Sequence, residues 1–297
     1  MIAGAVAFAS AAALHLPPAA ARDVAPEIRD RSDRLDVPFE PSTNAVLDGM
    51  FAFARPTGDD YIIDLGSGDG RIVNHAVSRF GARGHGIDLN EDLVRIANDN
   101  ARRAGISDRA KFHVRDLFKE DLSKATIITA YLLPEVMIRL RPALYNLRPG
   151  TRIVSHDYHM GAWRSDDARP VNSITGGEQD IVYFWKVPAK IAGIWNWKID
   201  YPDDLFGQRA YQARIVQHWQ DFEGRVDSGL LPMRIYDARI DGEKISFSIT
   251  GALDARSVRQ DFAGIIDGNR IRGAVTLRGA LAPVTFPWSA YRSRADN

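Results

Sequence analysis

The stretch Tyr61-Ile62-Ile63-Asp64-Leu65-Gly66-Ser67-Gly68-Asp69-Gly70-Arg71 constrains this chain more than any other. It reads as a short buried strand ending in a glycine turn, with a helix beginning at Arg71. Gly66 and Gly68 lack Cβ atoms, so the backbone there can take positive φ and approach a ligand closely. The free N–H groups of the next helix face the same ligand. A dinucleotide fingerprint needs Gly-x-Gly-x-x-Gly. Counted from Gly66, the third glycine of that pattern is replaced by Arg71, and the spacing is Gly-x-Gly-x-Gly. Asp64, at the strand's end, is poorly placed beside a pyrophosphate and suits a cationic ligand that carries an amino group. Both features disfavour an NAD-dependent oxidoreductase.

The surrounding pattern alternates. Strands are expected at Tyr61–Leu65, Gly84–Leu89, Lys111–Arg115, Ala125–Leu132 and Thr151–His156, with a late strand at Asp180–Val187. Helices are expected at Thr43–Ala54, Arg71–Phe80, Glu91–Ala104 and Glu135–Leu147. Ser42 reads as the N-cap of the first helix, and Leu93, Ile96 and Ala97 as the apolar face of the third. Alternation of this kind builds a mostly parallel sheet with helices on both faces, a Rossmann-like α/β fold. Ligands of such sheets bind beyond the carboxyl ends of the strands. Asp88 ends the second strand, where a carboxylate can hold ribose hydroxyls. Asp116 follows the third, where it can accept from an adenine amino group while Leu117 covers the ring. Each alone reads as a cap or turn residue; the three with the glycine turn form a set.

After Val187-Pro188-Ala189-Lys190 the texture changes to short alternating segments separated by turn pairs such as Asp241-Gly242 and Asp267-Gly268, a hairpin signal. About eight strands are expected, enough to close a small barrel. Trp195, Trp197, Trp219 and Trp288 read as its core. Gly193-Ile194-Trp195 with a late Arg292 is similar to the opening and closing residues of lipocalin-like barrels, which implies an arginine stacked on Trp195. The organisation expected is an apolar leader over 1–21, a linker over 22–37, the α/β domain over 38–188 and the β-barrel domain over 189–297.

Composition removes several alternatives. With 38 basic and 38 acidic side chains the formal net charge is +0, so no global field favours nucleic acid. There are no cysteines, which excludes disulfides, thiolate catalysis and cysteine-ligated zinc. Ile2–Leu16 is short for a membrane span, which takes ~20 residues. With Ala19-Ala20-Ala21 behind it, the segment fits a cleaved signal and periplasmic export. A cytoplasmic or membrane-anchored protein is the alternative.

Asp64-Leu65-Gly66-Ser67-Gly68-Asp69-Gly70-Arg71 resembles the cofactor motif of class I S-adenosylmethionine-dependent methyltransferases. Together with Pro38–Thr43, Asp116-Leu117-Phe118 and Val154-Ser155-His156, it resembles more narrowly the lysine methyltransferases of the ATP synthase c-subunit and their bacterial relatives. The resemblance spans about residues 37–188. It implies S-adenosylmethionine as cofactor, with Asp64, Leu65, Gly66, Ser67 and Gly68 at the methionine end, Asp88 on the ribose, and Asp116 with Leu117 on the adenine. It implies an amine acceptor, a protein lysine. The leader and the β-domain depart from the mitochondrial enzymes.

On the acceptor side, the place of an Asp/Asn-Pro-Pro-Tyr/Phe motif holds Ala130-Tyr131-Leu132-Leu133-Pro134-Glu135. Loss of the paired prolines disfavours planar amide or nucleobase nitrogens. Tyr131 is expected to shape the methyl-transfer channel, and Glu135 to orient an ammonium group. Core packing and a helix-start carboxylate are the plain alternatives for the two. Ser155-His156-Asp157-Tyr158-His159 reads as an active-site wall, with no metal expected. The partner expected is a protein substrate, with a membrane-associated one and a small ligand in the β-domain left open and no nucleic acid. The runner-up function is a non-catalytic cofactor- or ligand-binding protein.

Overall fold

A computed structural model describes residues 40–172, 179–202, 206–229, 231–253, 256–279 and 282–293. The leader and the whole of the linker therefore lie outside the described residues. The first half comprises α1 (Asn44–Ala54), β1 (Tyr61–Leu65), α2 (Arg71–Phe80), β2 (Arg83–Asp88), α3 (Glu91–Arg103), β3 (Ala110–Val114), β4 (Ile127–Ala130), α4 (Pro134–Tyr145), β5 (Arg152–His156), β6 (Asp167–Val171) and β7 (Asp180–Lys186). Its seven strands form one sheet in the order β3-β2-β1-β4-β5-β7-β6. The first five are parallel; β7 pairs antiparallel with β5, and β6 with β7. Strands β1, β4 and β5 are buried along nearly their whole length, as strands covered on both faces must be.

Local chemistry sets the boundaries. Helix α2 starts from Gly70 and stops at Gly81, both left-handed, with φ of 79° and 73°. Asn90 caps α3 by accepting from Leu93 N at 3.2 Å, with Glu91 and Asp92 in the first turn and Arg102 and Arg103 in the last, each suited to the helix dipole. Two expectations are corrected. The cap of α1 is Thr43, which accepts from Val46 N, not Ser42. The buried face of α3 is Val94, Ala97 and Ala101, while Ile96 is exposed. Strand β6 was not expected; it is an exposed edge strand containing Pro170, and it lacks the alternation that marks a strand.

The second half is antiparallel: β8 (Gly193–Asp200), β9 (Gln208–His218), β10 (Asp221–Asp227), β11 (Met233–Arg234), β12 (Tyr236–Asp241), β13 (Lys244–Leu253), β14 (Arg256–Asp267), β15 (Arg270–Arg278) and β16 (Val284–Arg292). The order is β11-β10-β9-β8-β16-β15-β14-β13-β12. Strands β11 and β12 are two pieces of one bent run. It pairs with β10 at Met233–Arg234 and with β13 from Tyr236 on, and Ile235 N between them donates to Gly224 O at 3.0 Å. The sheet is thereby a nearly closed barrel. Trp197, Tyr211, Phe247, Phe262 and Trp288 interleave inside it, so side chains occupy the interior. Arg292 stacks over Trp195 at 4.9 Å, as expected, and Trp195 Nε1 donates to Ile191 O at 2.7 Å.

Trp219 is a correction. It sits at positive φ in the turn between β9 and β10, outside the barrel core. Its ring stacks on Trp163 at 5.7 Å and meets Tyr145 edge-on at 4.7 Å, joining the core of the first half. The connection between the halves is bonded along its length. Val187 N donates to Thr151 O, Gly150 N to Val187 O, Ala189 N to Gly242 O and Ile191 N to Gln217 Oε1.

Candidate active site

The expected cofactor residues lie at the carboxyl ends of β1, β2 and β3, and Tyr131 lies just beyond the end of β4. Asp64 lies within the buried run of β1, next to its last residue, and is 1% exposed. Its Oδ1 accepts from Thr129 Oγ1 on β4 at 2.7 Å, while Oδ2 is buried without a partner. Burial pushes this carboxyl up to about 7, against the Thr129 hydrogen bond and with further help from the charges of Asp88 and Asp69. A carboxylate so placed lacks one cationic donor. The ammonium of an amino-acid moiety fits that requirement.

The glycine turn wraps this carboxylate. Gly66 and Gly68 take φ of 75° and 52°. Gly66 N and Ser67 N both donate to Ile87 O at 2.9 Å. A Cβ on Gly66 would stand 2.8 Å from the Leu132 side chain. Asp88 buckles the turn: Oδ2 accepts from Gly68 N and Oδ1 from Asn90 N, each at 2.9 Å. Each oxygen keeps a lone pair for a hydroxyl. Ser67 is buried and its Oγ has no partner. Leu65 is wholly buried in the core, so it can offer a ligand only backbone. Asp116 Oδ1 accepts from Phe118 N at 2.9 Å and its other oxygen faces Lys119 at 3.4 Å. Leu117 is partly buried against the core beneath.

A second group of side chains gathers around Tyr131, one residue beyond β4. Its ring lies on His156 at 3.8 Å between centroids and on Tyr158 at 6.1 Å. Its hydroxyl donates to Glu40 at 3.5 Å. Burial first, then the nearby Glu40, Asp157, Tyr158 and Asp180, raise the phenol well above its usual range, so it stays protonated. Glu135 is exposed in the first turn of α4. Among the described residues no hydrogen bond or ion pair ties it to the Tyr131 group. Residues given no role at this site now stand in it, Glu40, Ser42 and Asp180, beside His156 and Asp157 of the expected wall. Freed from capping, Ser42 meets His156 Nδ1 at 3.0 Å through its Oγ, and its carbonyl accepts from Arg71 Nη1 at 2.9 Å. Arg71 in turn pairs with Asp69 of the glycine turn at 2.7 Å. His156 and Asp157 stood in the sequence at a strand end, level with Asp64 and Asp88, which was their signal. Asp180 had none, because only the antiparallel pairing of β7 with β5 brings it there.

Comparison with known proteins adds the following. Residues 64–167 match the family described as the ANTKMT methyltransferase domain. A protein-lysine N-methyltransferase of Saccharolobus islandicus (strain REY15A) is 33% identical over 153 residues, covering 51% of this chain and 94% of the archaeal protein. The Mus musculus lysine N-methyltransferase of the ATP synthase c-subunit is 29% identical over 155 residues, covering 52% of this chain and 60% of the mouse protein. A solved structure, an RNA methyltransferase from Salinibacter ruber in complex with S-adenosyl-L-homocysteine, is 46% identical, with 51% of this chain and 96% of that chain covered and a TM-score of 0.47.

Proposed function

Since the chain belongs to the family of protein-lysine N-methyltransferases, S-adenosylmethionine-dependent enzymes, we propose that its acceptor is the ε-amine of a lysine in a protein. The observation that carries this reading is the register of the two sides of the site. Leu65 pairs with Ala130, so Tyr131 and Leu132 flank the glycine turn, with Leu132 against Gly66. When bound, the sulfonium of the cofactor supplies an electrophilic methyl carbon. The residues present fit that group. Asp64 Oδ2 takes its ammonium, Asp88 its ribose hydroxyls, and Asp116 with Leu117 its adenine. Tyr131 walls the channel with a ring face and keeps water from it. Transfer is an in-line displacement, so holding the amine in line is the main task of the protein. A lysine must first lose a proton, its free pKa being ~10.4.

The test compares Tyr131→Ala and Asp88→Ala, measuring cofactor affinity by calorimetry and methyl transfer to candidate lysine proteins, with RNA as a control acceptor. Tyr131→Ala should lose turnover at unchanged affinity, since its contacts serve the transition state. Asp88→Ala should weaken the cofactor by ~1–3 kcal/mol. Wild-type turnover in Tyr131→Ala would refute the channel. Cofactor binding with no amine ever methylated would favour the binding-protein alternative. We further propose, from the pattern of residues 1–21, that the chain is exported to the periplasm, and separately that its protein substrate is membrane-associated. Mass spectrometry of the mature N-terminus together with cell fractionation tests the export: an intact Met1 would refute the cleaved signal, and a cytoplasmic protein would refute the export.

A further inference from the structure

Behind Tyr131 lies a cluster that cofactor binding does not use. His156 is 3% exposed, yet its Nε2 has no hydrogen-bond partner. That atom points between Asp157 Oδ2 at 3.4 Å and Asp180 Oδ1 at 3.6 Å. The three atoms lie within 4.8 Å of one another. Asp157 is locked in place at φ 59°, with its Oδ1 accepting from Ile181 N at 2.8 Å. Glu40 adds a third carboxylate at the Tyr131 hydroxyl. Among the described residues no arginine or lysine pairs with any of the three. The ring of Tyr131 lies on that of His156, so the cluster sits directly behind the residue expected to shape the channel.

We propose that His156, Asp157 and Asp180 form the subsite that receives the acceptor ammonium and takes its proton. The inference rests on the amine-acceptor reading above and assigns residues within it. A lysine ammonium carries three N–H donors, and three acceptor atoms wait here. Aromatic faces beside it favour an alkyl cation. With its own proton on Nδ1 and donated to Ser42 Oγ, His156 presents a lone pair at Nε2. The ammonium N–H breaks with its electron pair left on nitrogen, and the proton bonds to Nε2. The imidazolium so formed lies between two carboxylates, and the neutral amine is the nucleophile. A divalent metal would find the same three atoms. The ammonium is favoured because Asp157 has already given one oxygen to Ile181, and because two rings and Glu40 line the approach.

The experiment titrates the full-length protein with n-butylammonium, and with n-butanol as its uncharged counterpart, following the His156 ring signals by NMR. Those signals are identified by their loss in His156→Gln. Butylammonium should shift them and butanol should not, and Asp180→Asn should weaken butylammonium at least tenfold. The Asp180→Asn change keeps the shape and leaves the Asp157–Ile181 bond untouched. In methyl-transfer assays, His156→Gln should move the activity profile to more alkaline pH, where the lysine ammonium loses its proton unaided. The charged and titratable groups facing the ring are Asp157 and Asp180 at Nε2 and Tyr131, with Glu40 behind it, on its face. Equal butylammonium affinity in Asp180→Asn and wild type, while lysine proteins are still methylated, would overturn the subsite and spare the lysine reading. No butylammonium binding together with no amine methylated would remove both. Tight stoichiometric Zn²⁺ binding that Asp180→Asn abolishes and that butylammonium cannot compete with would make this a metal centre and overturn the proposal.

Discussion

The two halves of the molecule treat their buried polar groups differently. In the barrel, the unpartnered atoms inside the aromatic core belong to neutral groups, the indoles of Trp197 and Trp288 and the amide of Gln260, while Arg292 Nε belongs to a cation already stacked on Trp195. At the strand ends of the parallel sheet, the groups left without partners include the Ser67 hydroxyl and two chargeable ones, Asp64 Oδ2 and His156 Nε2. A neutral orphan costs a modest, fixed amount of stability. A chargeable one makes stability depend on pH and on whatever ligand arrives. The contrast separates a half that is built to stand from a half that is built to bind.

The largest expected effect lies in the barrel. Trp195→Ala removes a buried indole, its bond to Ile191 O and the Arg292 stack, and should cost ~3–5 kcal/mol. Denaturant melts would read the loss, with calorimetry reporting cofactor affinity. A matching loss of affinity would erase the distinction between the halves.

The next is Asp64. Its folded pKa is raised, so the native state holds its proton more tightly than the unfolded chain does. Without cofactor, stability should therefore fall as pH climbs from the ordinary 3.8 through about 7, then level off. At 1.36 kcal/mol per unit the full drop is about 4 kcal/mol. Asp64→Asn should abolish this dependence, making the ligand-free protein more stable at neutral pH while it loses the cofactor. Parallel stability–pH curves for the two proteins would show that Asp64 is not the strained group.

Smallest is Trp219→Ala, which should cost ~2 kcal/mol because the indole is only half-buried. Its signature is qualitative: one unfolding transition should separate into two, with the parallel sheet and the barrel melting apart. A single transition at the wild-type midpoint would mean that the bonded connection alone couples the halves.

How much of this was readable follows from how local each determinant is. The glycine turn, Asp64 and Asp88 lie in two short stretches, and α2 began and ended where Arg71 and the glycine after Phe80 said it would. Gly242 and Gly268, at φ of 62° and 56°, turn the two hairpins that their Asp-Gly pairs announced. What escaped notice depends on distant partners. Ser42 and Thr43 are equally good caps in isolation; His156, over a hundred residues away, decides between them. Trp219 looks like a barrel residue until its turn reaches Trp163. Asp180 joins the acceptor cluster only through the antiparallel pairing of β7. Strand β6, exposed and interrupted by Pro170, carries no pattern of its own.

The pairing of β8 with β16 also sets an order in time. Strand β8, which opens the barrel, lies between β9 and β16, its register with the latter running through Trp197 and Ala290. During synthesis the parallel sheet can assemble from neighbouring units, while one edge of β8 waits for the last strand to leave the ribosome. Such distant pairings are slow to form because their loops must close first. Until β16 arrives, the aromatic residues destined for the interior face water together, and the nascent barrel is the stage at which this chain is most exposed to self-association.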